Sequence, residues 1–282
     1  MITNVGLAHI EFFGNREGVF KGKTEMFEWL NNNGSDSIVL YPAEDELFNG
    51  YFKEKKNLNP ISFGFSDKAD YKIHSIKIIE KDDNFVSEFK IRFGTGEFHF
   101  EIPFIGTHNV MNAAAAAAYA REVLSVDFVT AEKALKNAKP AKWRSDLQKH
   151  SSGAYILSDC YNANPSSFHA LVETLALLKS ETGKKVILVS GDMRELGVGS
   201  EKLHFELGEK IAKAQVDVLY SIGDFAKLTV EGATKAGIKS AQIEANKKEI
   251  YKNVINALNC DTILAIKGSR GAKLEELLGM FK

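Results

Sequence analysis

Asp159-Cys-Tyr-Asn-Ala-Asn-Pro165 is the stretch that decides the fold of this chain. It follows the apolar run Ala154-Tyr-Ile-Leu157 and precedes a helical pattern from Ser166 to Leu178. A strand that ends in Asp, Asn and Pro and turns directly into a helix is typical of an open α/β sheet, where ligands bind beyond the carboxyl ends of the strands. Asp159 can accept hydrogen bonds from ligand hydroxyls, and Asn162 and Asn164 offer both donors and acceptors. The alternative is an Asx-rich turn that only caps the helix.

The strand–turn–helix pattern recurs through the second half of the chain. Strands are predicted at Ala154–Ser158, Lys185–Ser190, Val216–Ile222 and Thr262–Ile266, with helical segments between them. This alternation is typical of a doubly wound parallel sheet. We therefore predict an α/β, Rossmann-like domain over residues 141–282, with a boundary near Ala141.

The first half of the chain, residues 1–140, mixes helices with long strands. The pattern predicts helices at Arg16–Asn33, from Gly106-Thr107 to about Leu124 and at Thr130–Asn137, and a short strand at Ile38–Tyr41. From Tyr71 to Phe104 it predicts an antiparallel meander with turns at Asp82-Asp83-Asn84 and Gly94-Thr-Gly96.

Composition narrows the class of protein. A length of 282 residues suggests two domains, and a 44% hydrophobic content is enough for full cores. The net charge of −1 gives no support for a nucleic-acid or membrane partner. Two cysteines without a metal-like spacing fit a reducing cytoplasm, and the start of the chain lacks the basic region of a signal peptide. We expect a soluble, cytoplasmic monomer.

The start of the chain, Ile2-Thr-Asn-Val-Gly-Leu-Ala-His9-Ile-Glu11, is followed by Glu17-Gly18 and Lys23. Taken alone, His9 is more often a packed or exposed histidine than a metal ligand, and Lys23 is a surface lysine. Residues 18–24 resemble the phosphate-binding motif G-x-x-x-x-G-K-[ST], but the position of its first glycine is occupied by Glu17. The 282 residues contain no complete phosphate loop, and the G-x-G tandem Gly94-Thr-Gly96 lies in a hairpin, so a nicotinamide site has no support.

Two further groups flank the domain boundary. In Gly106-Thr-His108-Asn109-Val-Met-Asn112, the asparagines Asn109 and Asn112 share a face of the first helical turn and can pair with an adenine edge. The alternative is that one of them caps the helix. In Trp143-Arg144-Ser-Asp146, Arg144 can reach an anionic ligand, although a lone arginine at a linker is otherwise a surface residue.

The last two groups each follow a predicted strand and therefore lie at the ligand-bearing edge of the sheet. They are Gly191-Asp192-Met-Arg194-Glu195-Leu-Gly197, with His204 beyond it, and Lys267-Gly-Ser269-Arg270-Gly-Ala-Lys273. Arg270 can clamp a carboxylate with two parallel hydrogen bonds. The alternative is a structural ion pair between Arg270 and Glu275 or Glu276.

Together these segments resemble the motifs of the Mur ligases, in family order: N-x-G-x-A-H-x-E…E-G…K-x-E, G-x-H-N-x-x-N, G-R-x-E, D-x-Y-N-A-N-P, G-D-M-x-E-L-G…H and V-K-G-S-R-G-M-K. Trp143 and Asp146 depart from the third motif, where the family has Gly and Glu. The sequence Tyr161-Asn-Ala-Asn-Pro favours the MurF-type members, which add D-alanyl-D-alanine. Relatives that add single amino acids typically have Ala-His-Asn-Pro instead.

The resemblance implies a fold and an activity. Residues 1–140 would be the last part of the central ATP-binding domain, and residues 141–282 the complete Rossmann-like C-terminal domain. ATP would phosphorylate the terminal carboxylate of UDP-N-acetylmuramoyl-tripeptide, and the amine of D-alanyl-D-alanine would attack the acyl phosphate, in peptidoglycan synthesis.

The resemblance also implies roles for single residues. His9 and a carbamylated Lys23 would be catalytic and would bind Mg²⁺, whose preferred ligands are hard oxygens. The nucleotide would be bound by Asn109, Asn112, Arg144, Asp159, Asn162 and Asn164. The second substrate would be bound by Asp192, Lys267, Ser269 and Arg270.

Because the phosphate loop is missing from these residues, we expect the 282-residue chain by itself to have no ligase or ATPase activity. Lys23 should then be unmodified, with a pKa near its ordinary value of about 10.4. Residues 141–282 should fold independently, while the first part exposes apolar surface and is less stable. Two alternatives stay open: a non-catalytic nucleotide- or peptide-binding module, either a fragment or one half of a split protein, and a Mur-superfamily ligase for another amino acid.

Overall fold

The computed structural model describes residues 1–7, 10–139 and 143–281 of the chain. The chain divides into two compact units: Met1–Ile79 with Val86–Lys139, and Glu80–Phe85 with Pro140–Lys282. Each unit has its own hydrophobic core. The mixed α/β architecture predicted from the sequence is confirmed, and no helix in the described part of the chain is both long and apolar enough to span a bilayer.

The first unit is built on a mixed sheet. Its elements are α1 (Ile10–Phe13), α2 (Arg16–Asn33), β1 (Ser37–Pro42), β2 (Leu58–Gly64), β3 (Tyr71–Lys81), β4 (Asn84–Phe93), β5 (Gly96–Ile102), α3 (Thr107–Leu124) and α4 (Phe128–Lys136). The described strands pair in the order β1-β2-β3-β4-β5, with β1, β2 and β3 parallel and β4–β5 antiparallel. The predicted helices and the hairpins between Tyr71 and Ile102 are confirmed.

Strand β2 is the element of this sheet that the sequence pattern did not predict. It contains Pro60, which lacks an N–H and is normally excluded from the middle of a sheet. The structure tolerates it because β3 pairs with β2 only at Phe63 and Gly64, so Pro60 has no ladder partner on that side. The proline therefore occupies a local edge, which a sequence pattern cannot show.

Local chemistry fixes the other elements of the first unit. The side chain of Asn15 accepts a hydrogen bond from the amide of Gly18 at 2.8 Å and starts α2. Asp82 and Asp83, in the segment Glu80–Phe85 that is grouped with the second unit, join β3 to β4 with positive φ at both residues, the backbone of a two-residue hairpin turn. Helix α3 buries Ala113–Ala115, Ala117 and Ala118 in the core, so the Ala-rich run is a packing surface, as predicted.

The second unit is a doubly wound sheet. Its elements are β6 (Asp146–Lys149), β7 (Tyr155–Asp159), α5 (Pro165–Thr182), β8 (Lys185–Gly191), α6 (Ser200–Lys213), β9 (Val218–Ile222), α7 (Ala226–Lys235), β10 (Ser240–Ile243), α8 (Lys247–Ile255), β11 (Thr262–Lys267) and α9 (Glu275–Met280). The described strands pair in the order β10-β9-β8-β11-β7-β6, all parallel except β6. The predicted strands are confirmed, and the short edge strands β6 and β10 were missed.

Strand β11 lies between β7 and β8, at the centre of the sheet. Alternate side chains of a strand point to opposite faces. Leu264 and Ile266 pack in one core cluster with residues of α8 and α9. Lys267, the next residue, lies on the other face, where its ammonium is 5.4 Å from the ring centroid of Phe168 on α5.

Helices α6 and α7 cross at unusually short range. A Cβ atom on Gly208 of α6 would lie 2.0 Å from the carbonyl oxygen of Thr229 on α7. A Cβ on Gly232 of α7 would lie 2.0 Å from the carbonyl oxygen of Phe205 on α6. Glycine at both positions lets the two backbones touch.

The first unit exposes several large apolar side chains. Phe12 is 75% exposed, Trp29 64% and Met26 48%. This agrees with the expectation of exposed apolar surface in the first part of the chain. That this part is also the less stable one stays a prediction.

Candidate functional site

Polar turns meet at the carboxyl edge of the second sheet because the strands are in register there. The register partners of Lys267 at the end of β11 are Asp159 on β7 and Ser190 on β8. Gly191 on β8 is in turn paired with Ile222 on β9. The turns after β7, β8, β9 and β11 therefore begin at one edge, as the sequence predicted.

Lys267 and Asp159 form an ion pair at this edge. The Lys267 side chain is 1% exposed and the Asp159 side chain 17%. The ammonium also donates a hydrogen bond to the carbonyl oxygen of Asn162 at 3.0 Å. Because the ammonium is buried and bonded to the loop after β7, its main role in this structure is to hold that loop. A contact between Lys267 and a substrate stays a prediction.

The loop after β7 ends in a helix cap. The Asn164 side chain accepts a hydrogen bond from the Ser167 amide at 2.9 Å, and the Ser167 hydroxyl accepts one from the Asn164 amide at 3.0 Å. The Asn162 side chain accepts from the amide of Ala163 at 2.8 Å. The capping alternative is therefore realised at Asn164. Nucleotide contacts by Asn162 and Asn164 stay predictions.

Arg144 and Asp159 belong to the same corner of the second unit. The amide of Ser145 donates to Asp159 Oδ1 at 3.3 Å. Arg144 is exposed, and its guanidinium carbon lies 4.0 Å from the ring centroid of Tyr161. Trp143 has φ +62°, a left-handed conformation that glycine adopts freely and other residues adopt at a cost. The glycine of the family pattern is thus replaced, while the backbone shape it favours is kept.

Asp192, in the turn after β8, forms hydrogen bonds with the turns after β9 and β11. Its carboxylate accepts hydrogen bonds from the amides of Asp224 at 2.7 Å and Phe225 at 3.1 Å, and its carbonyl oxygen accepts one from the Ser269 amide at 3.0 Å. Gly223 has φ +124°, and a Cβ there would lie 2.3 Å from the Asp192 carboxylate. Only glycine leaves room for this arrangement.

These turns line an open cavity of about 730 Å³. Its lining combines carboxylates with cationic and hydroxyl groups, contributed by Asp192, Arg194, Asp224, Lys247, Lys248, Glu249 and Ser269, together with small and apolar residues. Arg194 lies directly on Gly271, since a Cβ there would be 2.7 Å from the guanidinium carbon. Ser269 is 3% exposed, and within the described residues its hydroxyl has no hydrogen-bond partner.

The amino end of α8 forms another wall of the cavity. Asn246 caps the helix by accepting hydrogen bonds from the amides of Lys248 at 3.0 Å and Glu249 at 3.1 Å. The amino end of a helix carries a partial positive charge that favours anions. Together with Arg194, it makes one side of the cavity suitable for a carboxylate.

Arg270 does not line this cavity. Its guanidinium forms an ion pair with Glu275 at 3.0 Å and lies 4.6 Å from the ring centroid of Trp143. The structural alternative stated for Arg270 is therefore present in the structure, and its contact with a ligand carboxylate stays a prediction. The sequence analysis included Arg194 in a motif but assigned it no role. It also did not recognise α8 as a separate helix, because strand β10, which separates α8 from α7, was not predicted.

In the first unit, Lys23 donates a hydrogen bond from its amine to the carbonyl oxygen of Asn4 at 2.8 Å. Burial lowers the pKa of Lys23, and the nearby Asp45 carboxylate partly opposes this. The expectation of an ordinary pKa for Lys23 is therefore wrong, because desolvation of the half-buried ammonium was not visible in the sequence. That Lys23 is unmodified stays a prediction. His9 lies outside the described residues, and among those described no three His, Cys, Asp or Glu side chains converge as a metal site.

The Asn109 side chain donates to the carbonyl oxygen of Ile105 at 2.9 Å, at the start of α3. The helix is capped by Gly106, with φ +98° and no side-chain bond, so neither asparagine serves as the cap. Asn112 is exposed on the next turn. Pairing of Asn109 and Asn112 with an adenine edge stays a prediction.

Comparison with known proteins covers both units. Residues 1–120 match the family described as "Mur ligase middle domain", and residues 143–270 match "Mur ligase, glutamate ligase domain". The UDP-N-acetylmuramoyl-tripeptide--D-alanyl-D-alanine ligase of Bacillus subtilis (strain 168) is 32% identical over 280 residues, which are 99% of this chain and 58% of the relative. The chain thus spans about three fifths of the length of the curated relatives it matches.

Solved structures give the same picture. Crystal structure I of MurF from Acinetobacter baumannii superposes with a TM-score of 0.82 at 29% identity, covering 100% of this chain and 59% of that one. MurF from Thermotoga maritima in complex with ADP shares the fold, with a TM-score of 0.79 at 24% identity over 99% of this chain and 60% of that one. With both domain families matched along the chain, this protein belongs to the Mur ligase family.

Proposed function

We propose that this chain is part of an ATP-dependent ligase that adds D-alanyl-D-alanine to UDP-N-acetylmuramoyl-tripeptide in peptidoglycan synthesis. The relative from Bacillus subtilis carries that activity as its name. The observation that carries the proposal is the cavity at the carboxyl edge of the second sheet, where the turns of two family-like motifs, around Asp192 and Ser269, form one wall. A ligand in this cavity lies where doubly wound sheets bind theirs.

The charges of the cavity match a small zwitterion. Arg194, the Ser269 hydroxyl and the amino end of α8 can hold a carboxylate. Asp224 presents an exposed carboxylate that can hold an ammonium. A free dipeptide carries both groups, whereas a nucleotide has no cationic group to pair with Asp224. We therefore assign the cavity to D-alanyl-D-alanine.

The nucleotide is proposed to use residues outside this cavity. In the second unit, Arg144 can contact phosphate, and Asp159, held by Lys267, can accept hydrogen bonds from ribose hydroxyls. In the first unit, Asn109 and Asn112 are proposed to contact the base. The relative from Thermotoga maritima was crystallised with ADP, which agrees with this class of ligand.

Magnesium would offset negative charge on the transferring phosphoryl group. Lys23 as an ammonium does not fit a magnesium site, because it offers no lone pair to the metal. A carbamate on Lys23 would supply oxygen ligands, and the lowered pKa of Lys23 favours the neutral amine that reacts with carbon dioxide. His9 is proposed as a second ligand from the sequence resemblance alone.

In this reaction, ATP activates the tripeptide carboxylate as an acyl phosphate, and the dipeptide amine then displaces phosphate to form the amide. The second unit would bind the dipeptide as a zwitterion, with its carboxylate at Arg194 and its ammonium at Asp224, and the ammonium must lose a proton before the amine attacks the acyl phosphate. Fixing a nucleophile in this way replaces a bimolecular encounter with a positioned one.

Calorimetric titration of the 282-residue chain with dipeptides tests the proposal. D-alanyl-D-alanine should bind, while its carboxamide and its N-acetyl derivative should bind at least about tenfold more weakly, because each lacks one charge that the cavity pairs. L-alanyl-L-alanine serves as the stereochemical control. Equal binding of the blocked and free dipeptides, or no binding of D-alanyl-D-alanine, would overturn the assignment.

Two finer statements accompany the proposal. The absence of ligase and ATPase activity in the 282-residue chain alone stays a prediction, which phosphate release with ATP, Mg²⁺ and both substrates would test. If that chain binds the dipeptide or ADP without turnover, the alternative of a non-catalytic binding module describes the isolated chain. We also propose a cytoplasmic monomer, supported by two free cysteines and a net charge of −1.

A further inference from the structure

His204 connects two of the turns that line the cavity. It lies at the start of the second turn of α6 and is fully buried. Its Nε2 accepts a hydrogen bond from the amide of Met193 at 3.0 Å, and its Nδ1 is 2.7 Å from the carbonyl oxygen of Ser200. An amide N–H can only donate and a carbonyl oxygen can only accept. These partners therefore require the neutral ring with its proton on Nδ1.

The ring of His204 also contacts the turn after β9. It stacks on the ring of Phe225, with centroids 4.5 Å apart and an angle of 16° between the planes. The amide of Phe225 donates to the Asp192 carboxylate at 3.1 Å. One side chain thus bonds to the backbone of the turn after β8 and packs on the turn after β9.

The residue that His204 holds sits between two residues of the cavity wall. Met193 is 2% exposed, and its neighbours in sequence, Asp192 and Arg194, both line the cavity. Without His204, the Met193 amide would be a buried donor with no acceptor, and the turn would have to shift to satisfy it. A shift of the Met193 backbone would move the Arg194 guanidinium from its place on Gly271.

We propose that His204 is a positioning residue for dipeptide binding: through the Met193 amide, it fixes the Asp192–Arg194 turn in the shape that places Arg194 for the ligand carboxylate. This rests on the proposed function, because the ligand is the dipeptide assigned to the cavity. The competing view is a histidine that only fills space between α6 and the turn after β9. Burial lowers the pKa of His204, which agrees with the neutral ring that the hydrogen bonds require.

Two amide substitutions separate these views. In His204→Gln, the side-chain oxygen can reach the place of Nε2 and accept from Met193. In His204→Asn, the shorter side chain reaches only the place of Nδ1, so the Met193 amide loses its partner. His204→Phe keeps the volume and the stacking on Phe225 but supplies no acceptor.

The measurement is the dissociation constant of D-alanyl-D-alanine for the 282-residue chain and these variants. The Gln variant should bind within about threefold of wild type, and the Asn and Phe variants about tenfold more weakly, because a buried donor is left unsatisfied. Hydrogen exchange at the Met193 amide should be slow in wild type and Gln and fast in Asn and Phe. Equal affinity of Gln, Asn and Phe variants, or slow exchange in all of them, would overturn the positioning role.

The result also separates this inference from the proposed function. If wild type does not bind the dipeptide, the proposed function fails, while exchange at Met193 still tests the positioning of the turn. Nitrogen-15 spectra of wild-type His204 should show the Nδ1–H neutral ring at neutral pH. The other tautomer, or a doubly protonated ring, would overturn the inference even if every variant failed to fold.

Discussion

Lys267 and Asp159 are register partners on neighbouring parallel strands, and their side chains form an ion pair at the carboxyl edge of the second sheet. Register partners on parallel strands point to the same face of the sheet, so the pair follows directly from the strand order. The ammonium of Lys267 is among the most deeply buried charges of the chain. The buried charge of Lys267 is therefore stabilised by the charge of Asp159.

Replacing Lys267 with Met should strongly destabilise the second unit. The change keeps the length of the side chain but leaves the Asp159 carboxylate without its partner, at an expected cost of about 3–5 kcal/mol for a broken buried pair. Urea unfolding of the 282-residue chain measures the loss. The control is Lys247→Met, whose pairing with Glu276 is more exposed and is worth about 0–1 kcal/mol. If Lys267→Met unfolds like wild type and only loses dipeptide binding, the substrate role predicted from the sequence stands.

Arg194→Ala should weaken D-alanyl-D-alanine binding at least about tenfold, because it removes charge-assisted hydrogen bonds to the ligand carboxylate. Arg270→Ala is the matched control on the adjacent turn. Since Arg270 pairs with Glu275 and does not line the cavity, its loss should change the affinity less than about threefold. A larger effect from Arg270 than from Arg194 would transfer the carboxylate contact to Arg270, as the sequence motif suggested.

Lys23 should be modified by amine reagents at lower pH than the exposed Lys21 on the same helix. Burial lowers the pKa of Lys23, so its neutral, nucleophilic form becomes populated at a lower pH. Because the unfolded chain would hold this proton more tightly, the folded state gains stability as the pH rises between the folded and unfolded pKa values. Competitive labelling with acetic anhydride from pH 7 to 10 tests the order of reactivity. Because burial also slows the reaction itself, the quantity compared is the pH at which each amine reaches half of its own maximal rate, and a midpoint for Lys23 at or above that of Lys21 would contradict the lowered pKa. Native intact mass with bicarbonate tests for added carbon dioxide.

Gly208→Ala should destabilise the second unit by about 1–3 kcal/mol, because the new methyl group meets the backbone of α7 and cannot be accommodated by a side-chain rotation. Gly279→Ala in α9 is the control, since nothing lies within 4 Å of the added atom. That change should be neutral or stabilising by up to about 1 kcal/mol through helix propensity. Thermal and urea unfolding of both variants measure the difference, and equal midpoints would argue against close contact between α6 and α7.

The sequence predicts the long elements of this fold well and its edges poorly. Apolar runs such as Thr262–Ile266 and helical periodicity such as Arg16–Asn33 are local signals, and both became elements with nearly the predicted bounds. Strands β6 (Asp146–Lys149) and β10 (Ser240–Ile243) have only four residues each and few apolar side chains, so their sequences are too short and too polar to be separated from loops. They are recognised as strands only through their pairing, β6 with β7 and β10 with β9.

The candidate site was also predicted only in part. The motifs located the turns around Asp159, Asp192 and Ser269, because each follows a recognisable strand. They did not reveal that Lys267 would pair with Asp159 rather than face the cavity, since that contact depends on β11 entering between β7 and β8. The place of Arg194 in the cavity lining was hidden for the same reason. Which side chain of a turn faces a ligand is set by tertiary contacts that a single sequence does not encode locally.

The central place of β11 has a consequence for how this domain is made in the cell. β11 is the last strand of its sheet along the sequence, yet β7 and β8 each have it as a neighbour. During synthesis, β7 and β8 each have one unpaired edge until residues 262–267 have been made. Strands with unpaired edges are prone to wrong association. A ribosome that stalls before Thr262 would therefore release a chain that cannot complete this sheet and is a natural client for chaperones.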